Sequence, residues 1–162
     1  MRTILIALST SRFSEIMVER AFSEATAVRE EGGSARIDVV YVLETRELNS
    51  VYRSVGETGF LGSQTQQHVL DTLAEELHRT ARRRMGQIAD RARALEFEVK
   101  TLEQEGEYVA VVHELAGSQR YDVIYVTRAD RPFISRFLFG SKCEEVARLV
   151  RGEGLGEVVI GD

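Results

Sequence analysis

One cysteine, Cys143, in a chain of 162 residues excludes an intrachain disulfide. No apolar run approaches the ~20 residues of a membrane-spanning helix. The run 4–8 that follows Met1-Arg2-Thr3 is too short for a signal-peptide core and no cleavage-like site closes it, so it reads as a buried strand. A basic surplus is missing too: the net charge is −5, which argues against general nucleic-acid binding. There is no Gly-x-Ser-x-Gly around Ser9, Ser11 or Ser14 to make a nucleophile elbow. Gly140-Ser141-Lys142 is not a Walker motif, because its lysine follows the serine and the upstream glycine is absent. His68, His78 and His113 lack metal-ligand spacing, and no carboxylate pair stands out for acid–base work. These absences predict one cytoplasmic domain over residues 1–162, of no recognisable enzyme class and with no certain cofactor.

Hydrophobic residues make up 43% and charged residues 29%, enough for a full core in a chain of this length. Five β-branched runs occupy 4–8, 37–43, 97–102, 122–126 and 157–160. The first, second and fourth are nearly continuous, as in strands covered on both faces. Helical spacing fills the intervals. Ser11 or Ser14 is placed to cap a first helix carrying Met17, Ala21, Phe22, Ala25 and Val28, closed by Gly32-Gly33. A long helix over 63–95 has an apolar stripe from Val69 through Leu73, Leu77, Ala81, Met85, Ile88 and Ala92 to Leu95. A third helix holds Val109, Val112, Leu115 and Ala116, and a fourth starts at Ser141 with Val146, Leu149 and Val150. Strands alternating with helices imply an open, doubly wound parallel α/β sheet with helices on both faces. Such sheets bind ligands beyond the carboxyl ends of their strands, which selects the loops after Leu8, Leu43 and Val126. The connection 44–64, with Gly56, Gly59 and Gly62, reads equally as a lid or as an ordinary insertion.

Three segments resemble the universal stress protein family. They are the opening strand with Ser9-Thr10-Ser11, the stretch 99–106 ending in Gly106, and Asp122-Val123-Ile124-Tyr125-Val126 with the loop that follows it through Ser135-Arg136-Phe137-Leu138-Phe139-Gly140-Ser141. In the third, the family has glycine, two residues, glycine, nine residues, glycine, then Ser or Thr. Here Thr127, Asp130 and Gly140-Ser141 take those places. The resemblance covers nearly the whole chain. It implies a Rossmann-like fold of the adenine-nucleotide-hydrolase type, with strand order 3-2-1-4-5, and ATP with Mg²⁺ as the ligand of nucleotide-binding members. By that carry-over Gly140, Ser141 and Lys142 would hold phosphates. Ser9 and the Val42 backbone would hold base and ribose, and Arg128 or Arg131 would stand in for the missing glycines.

The loop's chemistry is divided. Gly140-Ser141 keeps free N–H groups at a helix start, the arrangement that binds phosphate. Thr127 puts a β-branched side chain where the backbone must come close. Asp130, if it faces the pocket, repels a phosphate by about 4 kcal/mol at 4 Å and an effective dielectric of 20. Ser9 is neutral where nucleotide-binding members carry an aspartate. The chain is closer to the family branch that lacks the full glycine motif, so weak or absent ATP binding is expected. A phosphoacceptor domain is disfavoured, because Leu102-Glu103 and Ser9-Thr10 do not supply its acidic residues. A nucleotide hydrolase would have only Asp130 as a candidate base.

Three further features carry expectations. The arginines Arg79, Arg82, Arg83, Arg84, Arg91 and Arg93 read as a solvated helix face with pairs such as Glu75–Arg79, and otherwise as a site for an anionic partner. Cys143 reads as a packed residue, with a thiol lowered by the helix dipole as the sharper alternative. The terminal strand Glu157-Val158-Val159-Ile160 is an apolar edge. In the family the corresponding strand pairs across a two-fold axis, which implies a homodimer.

Overall fold

The computed structural model describes residues 1–44, 49, 53, 63–129 and 141–162. The elements are β1 (Arg2–Ser9), α1 (Glu15–Glu30), β2 (Ala35–Glu44), α2 (Ser63–Ala94), β3 (Glu98–Gly106), α3 (Tyr108–Gln119), β4 (Val123–Thr127), α4 (Lys142–Gly152) and β5 (Glu157–Gly161). The five strands form one sheet in the order β3-β2-β1-β4-β5 with every pairing parallel, as the resemblance implied. No described helix is long and apolar enough to cross a membrane.

Alternation along the strands feeds two cores. Ile4, Ile6 and Leu8 of β1 face α1 and α2, where Met17, Ala21, Phe22, Met85 and Ile88 meet them. Leu5 and Ala7 face α3 and α4, against Val112, Ala116, Val146 and Val150. Both faces of the central strands are therefore dry, which explains their unbroken apolar runs. Register then brings the carboxyl ends level: Ser9 lies beside Val42, Glu44 beside Gly106, and Thr127 beside Gly161.

Several boundaries depart from the sequence reading. β3 runs four residues past Leu102, through Glu103, Gln104 and Glu105 to Gly106. It is an edge strand, and charges on its exposed face look like loop in a one-dimensional pattern. Phe97 precedes that strand and packs in the core, 6.5 Å from Phe22 ring to ring. Ser14 occupies the N-cap position of α1, but its hydroxyl donates to the Asp162 carbonyl at 2.9 Å instead of capping the helix. The stripe of α2 packs from Leu77 onward, while Leu73 is exposed. A helix of 32 residues is ~48 Å long, whereas the 10 residues of β2 span only ~33 Å, so α2 outruns the sheet. Arg79 pairs with Glu76 at 2.5 Å, not with Glu75. The connection proposed as a lid lies outside the described residues, apart from its ends and residues 49 and 53.

Candidate functional site

The loop after β1 closes on itself. The Ser9 N–H donates to the Arg12 carbonyl at 3.1 Å, and the Arg12 N–H donates to the Ser9 carbonyl at 3.2 Å. This turn directs Arg12 back over the sheet edge, where the residue is only 3% exposed. Its guanidinium lies 4.8 Å from the ring centre of Tyr108, the first residue of α3. Tyr108 is itself fully buried and donates its hydroxyl proton to the Ala7 carbonyl at 2.9 Å. Burial pushes the Tyr108 phenol well above its ordinary value, so it stays neutral.

Glu44, the last residue of β2, is the centre of the arrangement and is 4% exposed. One carboxylate oxygen accepts from the Ser9 hydroxyl at 3.1 Å and from Arg12 Nε at 3.3 Å. The other accepts from Lys142 Nζ, which also reaches Glu107 at 3.3 Å. Burial alone would push the Glu44 carboxyl up. The hydrogen bond and charge of Lys142, the charge of Arg12 and the Ser9 hydroxyl more than reverse this, and the group is held below the ordinary glutamate value. The cluster joins β1, β2, α3 and α4 at the carboxyl edge, and its two cations, Arg12 and Lys142, are matched by two carboxylates, Glu44 and Glu107.

The residues singled out in the sequence are distributed around this cluster. Ser9 and Lys142 belong to it. Val42 is fully buried next to Ser9 in the sheet. Thr127 is 3% exposed, and its carbonyl accepts from the Cys143 thiol at 3.2 Å. Ser141 is the N-cap of α4, and its hydroxyl oxygen accepts from the Cys143 N–H at 3.3 Å. Arg128 is drawn to Glu144 at 3.0 Å and to Asp162 at 3.3 Å. Asp130, Gly140, Arg131 and Arg136 lie outside the described residues. Cys143 is fully buried, and burial raises its thiol despite the opposing charge of Arg12, so the lowered thiol considered from the helix dipole is not what the structure gives.

Sequence reasoning missed Arg12, Glu44, Glu107 and Tyr108. One signal was present: Glu44 is a carboxylate that ends a long apolar strand, and a charge there must find partners. The histidines lie elsewhere. His78 pairs with Glu103 and lies 3.9 Å from Glu105, His113 Nε2 lies 3.0 Å from Glu153 without a hydrogen bond, and His68 is exposed. Among the described residues no group of three or more His, Cys, Asp or Glu is placed to hold a metal.

The sequence model of the universal stress protein family matches residues 1–151. Among solved structures, the chain resembles hypothetical protein MJ0577 with a TM-score of 0.67 and 16% identity, covering 98% of this chain and 94% of that one. It resembles a universal stress protein in complex with cAMP with a TM-score of 0.58 and 19% identity, over 99% and 95% of the two chains. The universal stress protein UspA from Lactobacillus plantarum gives 0.54 and 18%, over 99% and 97%. At these identities the likeness establishes the fold. No curated protein matches the chain.

Proposed function

The chain belongs to the universal stress protein family, and from that premise we propose that it is a homodimeric stress-response regulatory or binding protein with weak or no affinity for ATP. One observation carries the reading. The cations at the sheet edge that an incoming phosphate would need, Arg12 and Lys142, already share the internal carboxylate of Glu44. A polyphosphate entering there must displace Glu44 from both cations or accept its repulsion at close range. The Ser9 hydroxyl and Arg128 are committed as well, to Glu44 and to Glu144 with Asp162. The dimer reading rests on β5, the outer strand of the sheet beyond β4, whose Val159 and Ile160 are only half-buried within one protomer.

Isothermal titration with ATP and Mg²⁺ tests this reading. The wild-type protein is expected to bind weakly or not at all. Glu44→Gln keeps the size and the Ser9 contact but removes the charge, and it is expected to tighten binding at least about tenfold. Tight binding by the wild type, or no gain in Glu44→Gln, contradicts the reading. A second reading, a nucleotide-binding member with a remodelled loop, is favoured by Ser141 at the start of an 11-residue helix, where N–H groups and the dipole suit phosphate. One fold neighbour is a universal stress protein in complex with cAMP. In that reading Gly140, Ser141 and Lys142 hold the phosphates of ATP with Mg²⁺, and Thr127, Arg128 and Asp130 border them.

A further inference from the structure

A second opening lies on the other side of the sheet from α3 and α4. It is a cavity of about 340 Å³ between the start of α1 and the second half of α2. This volume falls within the range of small-molecule sites, about 300–1,000 Å³. Val18 and Ile88 contribute apolar surface that is otherwise buried, and Phe13 forms a wall. Two arginines line it, and they differ in one respect. Arg91 closes its guanidinium fork on both oxygens of Glu19, with the Nη2 contact at 2.7 Å. Arg84 has no carboxylate partner among the described residues. Its guanidinium lies over the Phe13 ring at 4.5 Å, and only Nη1 is used, by the Thr10 carbonyl and the Tyr41 hydroxyl, each at 3.3 Å. The edge formed by Nε and Nη2 has no acceptor among the described residues.

We infer that this cavity is a binding site for a small organic monocarboxylate with an apolar body, its carboxylate paired to the unused edge of Arg84. A guanidinium edge presents two parallel N–H groups that match a carboxylate in plane. Stacking on Phe13 holds the fork in place, which lowers the ordering cost of binding. Val18, Ile88 and Phe13 suit an aryl or alkyl group. The charge of the lining selects the anion: Glu19 neutralises Arg91, so Arg84 offers one unpaired positive charge that matches a monoanion, and the second charge of a dianionic phosphate would lie uncompensated near Glu15 and Glu19. The cavity shares no lining residue with the cluster around Glu44, although the Thr10 carbonyl that Arg84 holds belongs to the Ser9–Arg12 turn.

The test is a titration of the full chain with phenylacetate, phenylacetamide and benzylphosphonate, followed by calorimetry and by backbone amide NMR shifts. Phenylacetate is expected to bind. Phenylacetamide, and phenylacetate on Arg84→Gln, are each expected to bind roughly ten- to hundredfold more weakly, with Arg84→Lys in between. Shifts in the wild type are expected at residues 13–19 and 84–91, a readout that stands even where Arg84→Gln fails to fold. Phenylacetate that does not bind at millimolar concentration overturns the proposal. So do affinity unchanged in Arg84→Gln, shifts centred elsewhere, or tighter binding of the phosphonate.

Discussion

Glu44→Ala is expected to destabilise the protein by about 3–5 kcal/mol, read as a lower midpoint in urea unfolding. The loss comes mainly from what stays behind. Arg12 keeps a side chain that is 4% exposed and loses its counter-ion, whereas Lys142 at 22% can turn to water or to Glu107. A double-mutant cycle separates the terms: Arg12→Met with Glu44→Met is expected to cost less than Glu44→Ala alone, because no buried charge remains unpaired. The same pairing gives a pH signature. The Glu44 carboxyl is held below its unfolded value, so the unfolded chain binds the proton first as pH falls. Its contribution is fully present above the unfolded glutamate value of about 4.3 and is lost as pH drops through the folded value. Glu44→Gln is expected to flatten that acid limb. An unchanged urea midpoint in Glu44→Ala would contradict the placement of Arg12.

Gly156→Ala is expected to cost about 3 kcal/mol in the same assay, although it adds one methyl group at a surface turn. Gly156 has φ +143°, which L side chains rarely adopt, and a Cβ there would collide with the backbone carbonyl of Tyr121. The next residue seats β5, because the Glu157 N–H donates to the Asp122 carbonyl at 3.0 Å. Displacing this turn shifts the strand proposed to pair two protomers, so sedimentation is expected to show a weaker dimer as well as lower stability. Gly154→Ala serves as the control. Its φ of +64° is also unfavourable, but open space surrounds it, and its cost is expected to be nearer 1 kcal/mol. Equal effects at the two positions would contradict the collision.

What could be read from the sequence follows from where its physics is local. Strands β1, β2 and β4 are covered on both faces, so their apolar runs mark them without any partner in view. The strand order came from the resemblance to the family. The apolar pattern of β3 ends at Leu102 because Glu103 to Glu105 sit on an edge, where charge does not distinguish strand from loop. The site was legible only in part. Ser9 and Lys142 could be picked from the family pattern, but the carboxylate that binds both could not. Glu44 is 32 residues from Arg12 and 98 from Lys142, and no local pattern encodes a contact made by register and helix placement. In the sequence Arg84 is likewise one arginine of a solvated face. Its separation from Arg79, Arg82 and Arg83 depends on Phe13, Thr10 and Tyr41, which only the fold brings to it.

Glu44 is the resident counter-anion of Arg12 and Lys142, and in the proposed function nucleotide does not displace it. Carboxyl-detected NMR of Glu44 across acid pH, with and without ATP and Mg²⁺, tests it most directly. A midpoint below the ordinary glutamate value of about 4.3 is expected, with a carboxyl signal that micromolar nucleotide leaves unmoved. A midpoint in or above the ordinary range, or a shift that saturates at micromolar ATP, would contradict it.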